Sequence, residues 1–143
     1  LTVSAKWYTN AFKGAFNKEA DFNDGTATVM LLTNAAVINQ ITNDFISDLD
    51  GNEVTGTGYT ADGQALVNAA VTNATNVATF DADDVTWANS TISAQFAILY
   101  MNTGTNTTSR VLSYVDFGAT EVSSAGSFTI TWNASGIATI TAA

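Results

Sequence analysis

The run Asp48-Leu49-Asp50-Gly51-Asn52-Glu53 places the carboxylates of Asp48, Asp50 and Glu53 around a glycine turn. Oxygen donors so spaced suit a hard divalent cation, which gathers about six to eight oxygens, and these three residues are the candidate ligands of a calcium-type site. The full helix-loop-helix calcium pattern is not met, and a solvated acidic turn is the competing reading. A second acidic group, Asp81, Asp83 and Asp84, sits just before Val85 and Trp87. Neighbouring like charges repel unless amides, a cation or solvent relieve them. Three uses are open to this group: capping a turn anchored by Trp87, holding a cation, or supplying a carboxylate pair for sugar hydrolysis. Trp7, Trp87 and Trp132, with Tyr8, Tyr59, Tyr100 and Tyr114, are able to line a sugar groove, although in an alternating β pattern such side chains more often fill the core.

Other chemistry is removed by composition. The chain contains neither Cys nor His, so disulfides, thiolate ligands, the usual imidazole base and ordinary serine triads are excluded. The glycines of GTGYTADG lack the Lys and the strand-to-helix setting of a phosphate loop. No enzymatic activity and no cofactor are expected.

A net charge of −9 results from 13 acidic residues against Lys6, Lys13, Lys18 and Arg110. Such a chain has little with which to displace the counterions of a nucleic acid, and an anionic membrane repels it. Three of the four cations precede residue 20, in a segment up to Lys18 that also holds Trp7 and Tyr8. Lys6, Trp7, Tyr8 and Lys13 are therefore the candidate partner contacts, attractive to an acidic neighbour. No stretch reaches the roughly 20 apolar residues that span a bilayer. LTVSAKWYTN has no apolar run of signal-peptide length, so synthesis in the cytoplasm is expected.

The elements that must position these residues are mostly strands. With 143 residues, 46% hydrophobic but only 12% charged, the polar surface falls to Thr, Asn and Ser, and Thr favours strands. The chain is organised around Phe80 to Tyr100. There Ile92, Ala94, Phe96, Ile98 and Tyr100 alternate with Ser93 and Gln95, while Ala97 and Leu99 cover the second face, as in a central strand. Thr26 to Thr33 is a second central strand, apolar on both sides near Met30 to Leu32. The spacing of Phe12, Ala15, Phe16 and Ala20 predicts one helix over Thr9 to Ala20, capped by Thr9 or Asn10, weakened by Gly14 and packed through Phe12 and Phe16. Asn34 to Asn43 reads as loop, and Asn43 to Asp48 as one helical turn. The glycines at 51, 56, 58 and 63 mark a long loop. Ala65 to Val71 and Val77 to Phe80 are expected as a hairpin across Asn73 to Asn76. Asn102 to Ser109 is an exposed turn, Arg110 to Phe117 a strand, Gly118 to Gly126 a polar connection, and Phe128 to Trp132 a half-buried strand. After a turn at Asn133 to Gly136, Ile137 to Thr141 closes the sheet. About eight or nine short strands at regular spacing predict one domain over residues 1–143, a mainly β, antiparallel, jelly-roll-like β-sandwich with a short N-terminal helix.

The order of segments, and above all EVTGTGYTADG, FDADDVTW and the pair YVDFG with FTITWNASGI, resembles the decoration (cement) proteins of tailed-bacteriophage capsids over nearly the whole chain. The resemblance implies a structural protein without catalytic residues, bound to the major capsid protein on the outer surface of the head. It also implies a homo-oligomer, a dimer or a trimer at a lattice axis, with the trimer favoured. The alternatives are a tail or fibre adhesion module that binds host glycans, with or without calcium, and, more remotely, a carboxylate hydrolase.

Overall fold

In a computed structural model describing residues 3–142, the chain forms eight strands and one α-helix. They are β1 (Ser4–Trp7), α1 (Thr9–Phe16), β2 (Ala27–Leu32), β3 (Gln64–Ala65), β4 (Ala70–Ala74), β5 (Val77–Asp81), β6 (Val85–Met101), β7 (Val111–Ile130) and β8 (Ala138–Thr141). A five-stranded sheet runs in the order β1-β7-β6-β2-β3 and a three-stranded sheet in the order β4-β5-β8, with every pairing antiparallel. This is a mainly β sandwich, as the alternation predicts. β6 lies in the middle of the larger sheet, buried on both faces from Phe96 to Met101, and all six residues of β2 are buried beside it.

The largest departure from expectation is β7. Gly118 to Gly126, expected as a polar connection, is instead strand, paired with β6 through Glu121↔Ala94, Val122↔Ser93 and Ser123↔Ile92. β6 and β7 thus form one long two-stranded ribbon. Its register shifts between Trp87 and Ser90, Ser90 and Ile92, and Ala94 and Phe96, and Asn89, Gly118 and Ala125 adopt positive φ. Irregularities of this kind let a ribbon change direction without losing its pairing. Phe117 and Phe128 have ring centroids 5.9 Å apart, whereas eleven residues of extended strand span about 36 Å, so the far half of the ribbon folds back over the near half. Tyr59, Trp87 and Phe128 continue the aromatic packing inside the fold. At the bend Ser90 and Ser123 are buried with hydroxyls 2.7 Å apart, and the Ile92 amide donates to Ser123 Oγ at 3.2 Å. Small hydroxyls here satisfy amides that the interrupted ladder leaves unpaired.

The hairpin expected across Asn73 to Asn76 is β4–β5, but its first strand begins at Ala70. Residues 66–69 turn first, with Asn68 at φ +55°. The register places Val71, Ala78, Phe80, Ala138 and Ile140 on one face of the small sheet and Thr72, Thr79 and Thr139 on the other. The apolar face looks toward the larger sheet and α1.

The helix is shorter than predicted, ending at Phe16. Tyr8 rather than Thr9 or Asn10 is its N-cap, and no side chain makes the capping bond. Its packing face is also different. Ala11 and Gly14 are buried, while Phe12 is half-exposed against Trp7 and Phe16 points outward. The cause lies at Gly14, where an added Cβ would stand 2.5 Å from Arg110 Cδ. The helix rests on the Arg110 side chain through a residue without a side chain, a contact that larger residues could not make.

Candidate functional site

The carboxylates of the first acidic loop are drawn apart by different partners. Asp48 ends a short 3-10 turn (Ile46–Asp48), and its Oδ2 accepts the Asp44 and Phe45 amides at 2.9 and 3.2 Å. Asp50 Oδ2 accepts Asn106 Nδ2 at 2.7 Å. Glu53 Oε1 accepts the Tyr59 hydroxyl at 2.8 Å and the Asp62 amide at 2.7 Å, and Tyr59 Oη in turn accepts the Leu31 amide at 3.0 Å. The expected cation site of Asp48, Asp50 and Glu53 is therefore not assembled. Among the described residues no three acidic side chains lie together in a group able to hold a metal ion. The turns offered enough backbone and amide donors to engage each carboxylate separately.

Burial raises the Glu53 carboxyl above its ordinary value, against the lowering effect of its bonds to Tyr59 and the Asp62 amide, while the charges of Asp62 and Asp50 add to the rise. Burial likewise pushes the Tyr59 phenol far up, with the Glu53 charge adding to the effect. Glu53 and Tyr59 form a latch that ties the glycine-rich loop to β2 in the core.

The second acidic group caps a turn, but around a different tryptophan. Asp84 Oδ1 accepts the Trp132 amide at 2.9 Å, the Asp83 carbonyl accepts Trp132 Nε1 at 3.0 Å, and Asp83 Oδ2 accepts Asn68 Nδ2 at 2.8 Å. Trp87, the expected anchor, is 1% exposed inside the ribbon fold.

The four candidate partner contacts separate. Tyr8 is fully buried, its ring 5.5 Å from that of Tyr114, so it cannot touch a partner. The apolar burial that makes a tyrosine a good contact residue has been used inside the core. Trp7 is half-buried against Phe12 and Phe22, with centroids 5.9 and 6.1 Å away. Lys6 and Lys13 are exposed, but Lys6 lies on β1, where it and Trp7 point to opposite faces, and Lys13 lies on α1. Leu1 and Thr2, also in the expected contact segment, lie outside the described residues. The fourth cation, Arg110, is an internal brace. It bonds Glu19 at 2.6 Å and stacks on the Phe45 ring at 5.0 Å.

Two grooves open on the described surface; sequence reasoning missed the first, but it had named Trp7 and Trp132, which flank the second, as candidate groove residues. One, of about 370 Å³, lies between α1 and the small sheet, lined among others by Trp7, Phe12, Phe22, Val71, Phe80 and Ile140. The other, of about 570 Å³, lies between the two halves of the folded ribbon, where Trp7 and Trp132 flank Val115, Phe117, Ile130 and Asn133. The signal for the first was the density of large aromatics at Trp7, Tyr8, Phe12, Phe16 and Phe22, more than a four-residue strand and an eight-residue helix can bury. No protein-family model matches the chain, and neither a curated protein nor a solved structure matches it.

Proposed function

We propose that this chain is a structural protein of a tailed-phage particle, a decoration protein that binds the major capsid protein on the outside of the head and braces the shell. The reading starts from the sequence resemblance. The observation that carries it is the use made of the carboxylates: Asp48, Asp50, Glu53, Asp83 and Asp84 are engaged in fixing loops, not gathered into a site. Rigid loops on a β framework suit a protein that acts by shape, and many weak contacts repeated over a symmetric lattice hold it through avidity. Its strong negative charge keeps free copies soluble before docking. Quantitative mass spectrometry of purified particles tests this. Copy number in proportion to the capsid subunit is expected, and absence, or only a few copies per particle, overturns it.

A second reading, a tail or fibre module binding host glycans, is favoured by one specific feature. Trp7 and Trp132, both partly exposed, line the same groove with Thr129, Thr131 and Asn133. Aromatic faces beside hydroxyl and amide groups are suited to sugar rings. Saturable quenching of tryptophan fluorescence by host-surface oligosaccharide, lost in Trp132→Ala, would establish it, and a flat titration would dismiss it.

A further inference from the structure

The groove between α1 and the small sheet is open along one side, with Phe12 47%, Val71 41% and Ile140 66% exposed at its lip. One helical turn past Phe12, Phe16 stands out at 89% exposed. Residues four apart share a helix face, so an apolar knob and an unfilled apolar recess lie side by side on one surface. A contiguous exposed apolar patch of this kind marks a contact surface.

Charge identifies what covers it. Within residues 1–24 Lys6, Lys13 and Lys18 balance Glu19, Asp21 and Asp24, whereas the rest of the chain sets Arg110 against ten acidic residues and carries the whole −9. Away from that segment the one cation is Arg110, 12% exposed and paired with Glu19, so two copies that meet by other faces bring no open cation to the contact. By this side they meet the segment that holds three of the four cations, on which Lys13 and Lys18 are exposed beside the knob and Asp21 and Asp24 are exposed on either side of Phe22. A knob next to a recess, and cations next to anions, is self-complementary about a two-fold axis.

We infer that the protein is a two-fold homodimer in which Phe16 of each copy enters the groove between α1 and the small sheet of the other, with Lys13 and Lys18 facing Asp21 and Asp24 of the other copy. The inference does not depend on the capsid reading, and of the dimer and trimer left open by the sequence it selects the one that was not favoured.

Sedimentation equilibrium between about 1 and 100 µM separates the outcomes. The wild-type protein should be a dimer, and Phe16→Glu should weaken it at least roughly tenfold, as a central aromatic anchor does. The thermal midpoint of the variant, measured where both proteins are monomeric, should not change, because Phe16 is exposed. The double variants Lys13→Glu/Lys18→Glu and Asp21→Lys/Asp24→Lys should each fail to dimerise alone and should form a heterodimer when mixed. A wild-type monomer throughout this range, a trimer, a dimer untouched by Phe16→Glu, or charge variants that do not rescue one another would overturn the assignment.

Discussion

Phe117 and Phe128, eleven residues apart on one strand, pack ring against ring with centroids 5.9 Å apart. The contact exists only because the β6–β7 ribbon doubles over, so it reports on the bend itself. Phe128 is buried and also meets Trp87 edge-on. Phe128→Ala should destabilise the protein by about 3–5 kcal/mol in urea denaturation, and Phe117→Ala, half-exposed, by less. The two losses should not add, since each variant removes the same contact.

The hydroxyl pair at the inside of the bend makes a sharper test. Ser123→Ala leaves the Ile92 amide without this partner and Ser90 Oγ with the Gly126 carbonyl alone, at a cost of about 1–3 kcal/mol for a buried polar group left unpaired. The double variant Ser90→Ala/Ser123→Ala should lose less than the sum of the single losses, which a four-member set of denaturation midpoints will show.

Gly14→Ala would ordinarily strengthen a helix by roughly 1 kcal/mol. Here the new methyl meets Arg110 Cδ, and Arg110 has little room to yield because Glu19 and Phe45 hold its far end. The substitution should therefore destabilise the wild-type protein by about 1–2 kcal/mol, the range of overpacking. In an Arg110→Ala background the same change should become neutral or stabilising. If Gly14→Ala stabilises both backgrounds alike, Arg110 does not press on the helix.

Glu53 gives the pH prediction. Its folded-state value is raised above the ordinary 4.5, chiefly by burial, so the folded form holds its proton more tightly than the unfolded chain. The stability linked to this group is fully present below that ordinary value and is lost as the pH rises through the folded-state value. Glu53→Gln keeps an acceptor for Tyr59 and the Asp62 amide but cannot ionise. Relative to wild type it should gain stability as the pH rises above the ordinary 4.5, read as urea midpoints over a pH series. Glu53→Ala removes the acceptor and should lose about 1–3 kcal/mol across that series.

The central strands were legible because Met30 to Leu32 and Phe96 to Tyr100 carry their burial in side-chain type alone. The polar half of β7 was not. Ser123 and Ser124 read as connection by composition, and only the pairing across to Ile92 and Ser93 makes that stretch a strand. The helix was placed correctly and oriented wrongly, because periodicity assigns the apolar face inward, whereas Gly14 sets the true contact through what it lacks. The acidic loops failed for a related reason. Spacing shows which carboxylates are near one another, but not which amides, such as those of Asp44, Phe45 and Asp62, will reach each one first.

Since β6 and β7 run through both halves of the folded ribbon, those two halves have no seam along which one could peel from the other. A pull on either half is carried through covalent backbone into its mate, like the two arms of a spring clip. Under the capsid-bracing role proposed above, that continuity is the mechanical asset of the fold.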